Sequence, residues 1–265
     1  MTEPHTNSDL TLKRLVIYGL LLLAVLYFLL PLLVMLITSF KTIDEIRTGT
    51  LLSLPASLDP DAWIKAWGTA CTGVSCEGLK GYFWNSVRLV VPAVAISTLI
   101  GALNGYVLTQ WRFRGSNLFF GLLLIGTMIP FQVILLPMAR TLGSVNLAGT
   151  LSGLMLVHII YGLAFTTLFF RNFYVTLPDE LVKAAKIDGA GFWLIFMRII
   201  LPLSGPIIVV SVIWQFTQIW NDFLFGVVYS AGDQQPITVA LNNLVNTTTG
   251  VKEYNVDMAA AIIAA

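Results

Sequence analysis

Six residues between positions 214 and 222 are the best equipped in this chain to hold a small polar ligand: Trp214, Gln215, Gln218, Trp220, Asn221 and Asp222. Aromatic faces beside amides and a carboxylate suit a sugar, whose C–H patches stack and whose hydroxyls need both donors and acceptors. Trp214, Gln218 and Asp222 recur every four residues, so on a helix they line one side, with Gln215 next to that stripe. Polar groups are costly inside an apolar helix and usually face a cavity or a partner helix. The alternative reading is therefore that these groups bind neighbouring helices or form part of an aromatic belt. Gln132, just after Pro130, is a further candidate of the same kind. Arg88 is better read as snorkelling to an interface than as reading a ligand.

Other chemistries lack their residues. There is no G-x-x-x-x-G-K-[ST] phosphate loop, so the chain does not hydrolyse ATP by that route. Its two histidines, His5 and His158, are far apart, and no His/Cys/carboxylate cluster has metal-ligand spacing. His158 falls in the middle of an apolar stretch, where packing between helices or lining a cavity fits better than catalysis. No Ser-His-Asp or paired-carboxylate arrangement stands out, so the chain reads as a non-enzyme needing no metal or cofactor of its own.

The elements that carry these residues are apolar. Of 265 residues, 57% are hydrophobic and only 11% charged, and the mean hydropathy is +0.82. A soluble domain is about a quarter charged, so the composition indicates an all-α polytopic membrane protein. A net charge of +1 without a basic run argues against nucleic-acid binding. After a cytoplasmic N-terminus (1–14), spans are expected at 15–39, 86–110, 118–138, 150–170 and 203–228, with a sixth beginning at 257–265. Lys13-Arg14 precedes the first, which lacks a cleavage site and so is not a signal peptide. Nine helical residues cover about 14 Å of an apolar core about 30 Å thick, so the sixth helix reads as truncated. Gly101 and Gly105 have small-xxx-small spacing, and Pro92, Pro130, Pro137 and Pro206 are candidate kinks.

Short-loop charges set an orientation. Lys13-Arg14, Arg112 with Arg114, and Arg171, Lys183, Lys186 and Arg198 share one side if the spans alternate. The positive-inside rule places the N-terminus and the 171–202 segment in the cytoplasm, and the 40–84 and 229–256 loops outside. Cys71 and Cys76 then lie outside the cytoplasm and suggest a small disulfide loop. Two free thiols or half a metal site are the alternatives, though that loop holds no histidine.

Between the fourth and fifth spans lies the longest charged helical run, 176–203. Thr176 with Asp179 resembles a capping-box start, and Pro178 suits a first turn. Asp179, Glu180, Lys183 and Lys186 share one side of the wheel; Leu181, Val182, Ala184 and Ala185 share the other. Asp188-Gly189-Ala190-Gly191 breaks the helix, and a second short helix, 192–200, runs into Leu201-Pro202.

KAAKIDGAGFWLIFMRIILP, from Lys183 to Pro202, resembles the EAA loop of ABC-importer permeases; ILPLSGP and WNDFLF resemble the fifth span of their carbohydrate-uptake branch. The resemblance implies a type I ABC importer permease fold with six transmembrane helices, and a maltose-type sugar importer in a bacterial inner membrane. It implies a heterodimer with a second permease, two ATPase subunits that bind ATP and Mg, and a periplasmic sugar-binding protein. ATPase docking would then fall to Glu180, Lys183, Ala184, Ala185, Asp188, Gly189, Ile199, Leu201 and Pro202. Lys183 stands where the family usually has glutamate; Glu180 is one turn earlier on the same side. Gln234, Gln235 and Asn242 would lie in the loop that reaches the binding protein. The rival reading, a gradient-driven transporter or channel, predicts an inverted repeat and an intramembrane ionisable pair, and neither is evident in the sequence.

Overall fold

The computed structural model describes residues 7–73, 75–111, 113–247 and 252–265, with side chains from Lys13 onward; His5 and Arg112 lie outside them. The helices are α1 (Asn7–Ser39), α2 (Ile43–Thr48), α3 (Asp61–Gly68), α4 (Lys80–Gln110), α5 (Ser116–Met128), α6 (Phe131–Ser144), α7 (Leu151–Tyr174), α8 (Asp179–Ile187), α9 (Phe192–Ile195), α10 (Leu201–Leu203), α11 (Gly205–Trp220), α12 (Leu224–Tyr229), α13 (Ile237–Asn246) and α14 (Tyr254–Ala264). A π-helical turn, Phe196–Ile200, joins α9 to α10. Among the described residues there is no strand, only an isolated bridge between Gly149 and Ser230.

Lys13–Ser39, Lys80–Gln110 and Leu151–Tyr174 are each long and apolar enough to cross a membrane. Two bent pairs, α5 with α6 and the 192–203 helix with α11, raise that number to five by length and composition, and α14 is a shorter apolar helix.

One compact unit comprises residues 1–79 and 243–265. From Leu15 to Leu33, α1 leaves its large apolar side chains about half exposed or more, an apolar surface of the kind that a bilayer or another apolar helix covers. Beyond Ser39 the chain is fastened by polar groups. Buried Lys41 donates from Nζ to Thr50 O and Ser53 Oγ, both at 3.0 Å. Thr42 and Glu45 form a reciprocal capping box at the start of α2. Small faces let α3 and α14 approach closely: Ala66, Ala259 and Ala260 are fully buried. Lys65 pairs with Glu253 across them.

The second unit, residues 80–242, is built on α4 packed against α7. Glycine makes that approach possible. A Cβ at Gly101 would lie 2.4 Å from Thr166 Oγ1, and one at Gly105 would lie 2.7 Å from Phe170 Cβ. Thr166 uses the proximity to donate to Ser97 O at 3.0 Å, the kind of interhelical bond that apolar surroundings favour. α11 joins through Thr98 and Ser211, whose hydroxyls are 3.3 Å apart.

No unbroken helix covers 118–138: α5 and α6 together are apolar and long enough for a span but meet at 103°. The cause is local. Ile129 precedes Pro130 and takes an extended conformation, φ −71°, ψ 122°, as the residue before a proline tends to do. Pro92 and Pro137 sit inside α4 and α6 without interrupting them.

Candidate functional site

Two places in the second unit gather the chemistry-bearing residues: an elbow at 179–204 and a cleft at the far end of α11. The elbow begins with α8, whose first turn carries Asp179 and Glu180 where the helix dipole favours acids. The capping box expected at Thr176 is absent. Turn hydrogen bonds from Val175, Thr176 and Leu177 continue the end of α7, and Thr176 Oγ1 donates back to Phe173 O at 2.7 Å. Pro178 occupies the cap position instead. At the other end α8 closes in a Schellman motif: Gly189, at φ +82°, donates to Lys186 O, and Ala190 donates to Ala185 O.

The apolar side of α8 divides. Val182 and Ala185 are buried in a cluster with Tyr106, Phe170, Tyr174, Ile195, Phe196 and Ile200, whereas Leu181, Ala184 and Ile187 are exposed. Lys183 is exposed, with Asp179 at 3.9 Å as its partner one turn away, a contact worth little in solvent. Glu180 and Asp188 are exposed as well. Tyr106 anchors the seat: its hydroxyl accepts from Trp111 Nε1 and donates to Phe192 O at 3.3 Å, and Lys186 Nζ lies 4.2 Å over the Trp111 ring. Ile199 and Leu201 are half-buried against this cluster and Pro202 is exposed. The π turn falls just before Pro202, whose missing N–H and bulky ring oppose regular α-helix there; Leu201 N–H reaches Phe196 O instead.

At its other end α11 stops at Trp220 and the chain restarts as α12 after Asn221-Asp222-Phe223. Asp222 makes the restart. Its carboxylate accepts from the N–H groups of Phe225 (3.3 Å) and Gly226 (3.1 Å), and its carbonyl accepts from Thr238 Oγ1. The break opens a cleft of about 510 Å³ lined by Trp214, Gln218, Asn221, Asp222, Tyr161 and His158 among others. Trp214 is held by Phe165, at 4.6 Å between ring centres, and edge-on by Phe169. Asn221 donates to Thr217 O, and Gln218 is exposed.

Gln215 touches the cleft wall but is 2% exposed, and its amide donates to Ser97 Oγ at 2.6 Å. It crosses Gly162, where a Cβ would sit 2.0 Å from Gln215 Nε2. Of the stripe expected from the sequence, Trp214, Gln218, Asn221 and Asp222 therefore meet at one opening while Gln215 ties helices together. Trp220 stacks on Phe216 and meets Phe83 edge-on. Gln132 is exposed and outside the cleft, which takes its neighbour Phe131 instead.

Sequence spacing does not reveal the companion of Asp222. His158, on α7, is 6% exposed and places Nε2 3.6 Å from Asp222 Oδ2. An ionisable pair thus exists, its members 64 positions apart, which only the packing of α7 on α11 makes visible.

Gln234 and Gln235 follow α12, and the carbonyls of Asp233 and Gln235 both accept from Asn85 Nδ2, at 2.6 and 3.1 Å. Asn242 is exposed on α13. In the other unit Cys71 and Cys76 are joined in a disulfide.

Against known proteins, the sequence model of the family described as "Binding-protein-dependent transport system inner membrane component" matches residues 86–265. A probable ABC transporter permease protein of Pyrococcus horikoshii is 46% identical over 155 residues, which is 58% of this chain but only 56% of that relative's length. The xylose/arabinose import permease protein XacI of Haloferax volcanii is 31% identical over 97% of this chain and 88% of its own. Among solved structures, a bacterial ABC transporter involved in the import of the acidic polysaccharide alginate superposes with a TM-score of 0.82, over 99% of this chain and 94% of that one, at 19% identity. That likeness concerns the fold.

Proposed function

This chain belongs to the family of inner membrane components of binding-protein-dependent transport systems, and on that premise we propose that it is a pore-forming subunit of an ATP-driven sugar importer. It is a transport subunit and not an enzyme. The observation that carries the sugar reading is the cleft at the end of α11, where an indole, two amides and a carboxylate converge on one opening. The relative that imports xylose and arabinose supports the same substrate class.

In this reading a second permease completes the pathway, a periplasmic sugar-binding protein delivers the load, and two ATPase subunits bind ATP and Mg. The ATPases engage the exposed side of the elbow, Glu180, Lys183 and Ala184 with Asp188 and Gly189. Val182 and Ala185 pass their movement to α4 and α7 through the buried aromatic seat. Ile199, Leu201 and Pro202 carry it into α11. Gln234, Gln235 and Asn242 face the binding protein, and the N-terminus lies in the cytoplasm. Gln132 takes part only at the rim of the pathway, if the second permease brings the sugar to it.

The test is uptake by the complete importer, reconstituted in vesicles, of radiolabelled xylose, arabinose, maltose and diacetylchitobiose. Accumulation of one of them that needs ATP and the binding protein is expected. Accumulation driven by an ion gradient without ATP would replace this reading with a secondary transporter, for which the His158–Asp222 pair would be the coupling site. Orientation is checked separately: an impermeant maleimide should label Cys71 and Cys76 from outside, and only after reduction.

A further inference from the structure

The contact between His158 and Asp222 is unfinished. His158 Nε2 is buried and without a hydrogen-bond partner among the described residues, and its 3.6 Å from Asp222 Oδ2 exceeds the 2.7–3.2 Å of an N–H···O bond. Buried polar atoms are nearly always satisfied, so an orphan of this kind calls for a partner. Neither residue can close the gap cheaply. Asp222 is pinned by its bonds to Phe225, Gly226 and Thr238. The His158 ring is packed 5.5 Å from the Phe225 ring. Both line the cleft, and two polar atoms at this separation can share one oxygen placed within about 2.8 Å of each.

We propose that His158 and Asp222 are the hydroxyl-reading pair of the substrate pathway. Neutral His158 donates its Nε2–H to a sugar hydroxyl oxygen, and that hydroxyl donates its own hydrogen to Asp222 Oδ2. The hydroxyl uses its donor and one acceptor site, Oδ2 keeps its bond from Gly226, and the imidazole gains the partner it lacks. A ligand without a hydroxyl at that place would leave both groups buried and unpaired, which is how such sites reject deoxy analogues. Phe225 and Tyr161, 5.6 Å apart and edge to face, form an apolar wall beside the pair. This assignment rests on the reading that sugar passes through the cleft.

The experiment uses the purified complete importer carrying Thr217→Cys, at an exposed position that also lines the cleft, with partner-subunit cysteines replaced. This chain's two native cysteines are bonded to each other, so the new thiol is the one free to react. Protection of that thiol from maleimide by the sugar accumulated in the uptake assay reports occupancy of the cleft. Removing one hydroxyl at a time from the sugar should identify one monodeoxy analogue that protects about tenfold to hundredfold less well, the value of one hydrogen bond to a charged group. His158→Phe should weaken protection by the parent sugar similarly and erase its advantage over that analogue. His158→Gln, whose amide can still donate, should restore part of it. Should His158→Phe fail to accumulate in the membrane, His158→Gln and Asp222→Asn carry the same comparison. Unchanged half-protecting concentrations and unchanged deoxy discrimination in these variants would overturn the assignment alone. No protection by the sugar even with His158 present would overturn the pathway through this cleft, and the assignment with it.

Discussion

The hydroxyl of Tyr174, at the end of α7, lies 2.8 Å from Ser204 Oγ, at the point where the helix from Phe192 turns by 75° into α11. Both residues are fully buried. Ser204 spends its hydrogen on Ile200 O at 2.6 Å, so Tyr174 is the donor between the two hydroxyls. The bond fixes the bend to α7, the helix that also supports the elbow. Tyr174→Phe should cost about 1 kcal/mol, the net worth of one buried hydrogen bond. A lower melting temperature of the purified complex would register it. If the bend transmits work, ATP hydrolysis should also become less dependent on added binding protein and sugar.

Substituting Gly101 should be far more damaging than its small size implies. A Cβ there meets Thr166 at 2.4–2.9 Å, backbone included, so α4 and α7 must separate. Gly101→Val is expected to destabilise by about 3 kcal/mol, the upper part of the overpacking range, and to lower the amount of chain found in membranes. Gly121→Ala, whose Cβ would meet nothing within 4 Å, should accumulate normally.

At the elbow two substitutions separate conformation from seating. Gly189→Ala meets no obstacle but forces a side chain into left-handed backbone at φ +82°, at about 1 kcal/mol, so transport should fall modestly. Ala185→Trp cannot fit the buried seat beside Tyr106 and Tyr174, so α8 must lift off it. That variant should insert in the membrane yet lose uptake, measured against chain level by immunoblot.

Acid should loosen the segment after α1. The Glu45 carboxylate accepts from the Ala56 N–H at 2.7 Å and the Thr42 N–H at 2.8 Å, and these bonds hold it below the usual carboxylate range. A depressed folded value stabilises fully above the unfolded value of about 4.3, and the contribution is lost as pH falls through the folded value. Protease cleavage within 42–56 should therefore be faster in Glu45→Gln than in the parent at neutral pH. The two rates should converge toward pH 3.

Features that depend on neighbours in the chain were legible from residue types. The all-helical class follows from apolar runs, the turn at 188–191 from its glycines, and the polar stripe of α11 from four-residue spacing. What escaped depends on partners distant in sequence. The apolar face of α8 looked uniform, yet only Val182 and Ala185 find the aromatic seat that α4 and α7 supply. For Gln215 the sequence left a ligand role and a bond to a neighbouring helix both open, because Ser97, which accepts from its amide, lies 118 positions away. Pro130 read as a kink inside one helix. The size of the bend, 103° about an extended Ile129, was not legible from the proline alone.

Gly162 has a further consequence. By giving up its side chain it leaves a berth through which the Gln215 amide reaches Ser97, so three helices are riveted at one spot in mid-length. A rod pinned at its centre cannot slide along its neighbours. It can only be steered from its tips, and the tips of α11 are the two places where the helical backbone is interrupted, at Ser204 and at Asn221–Phe223.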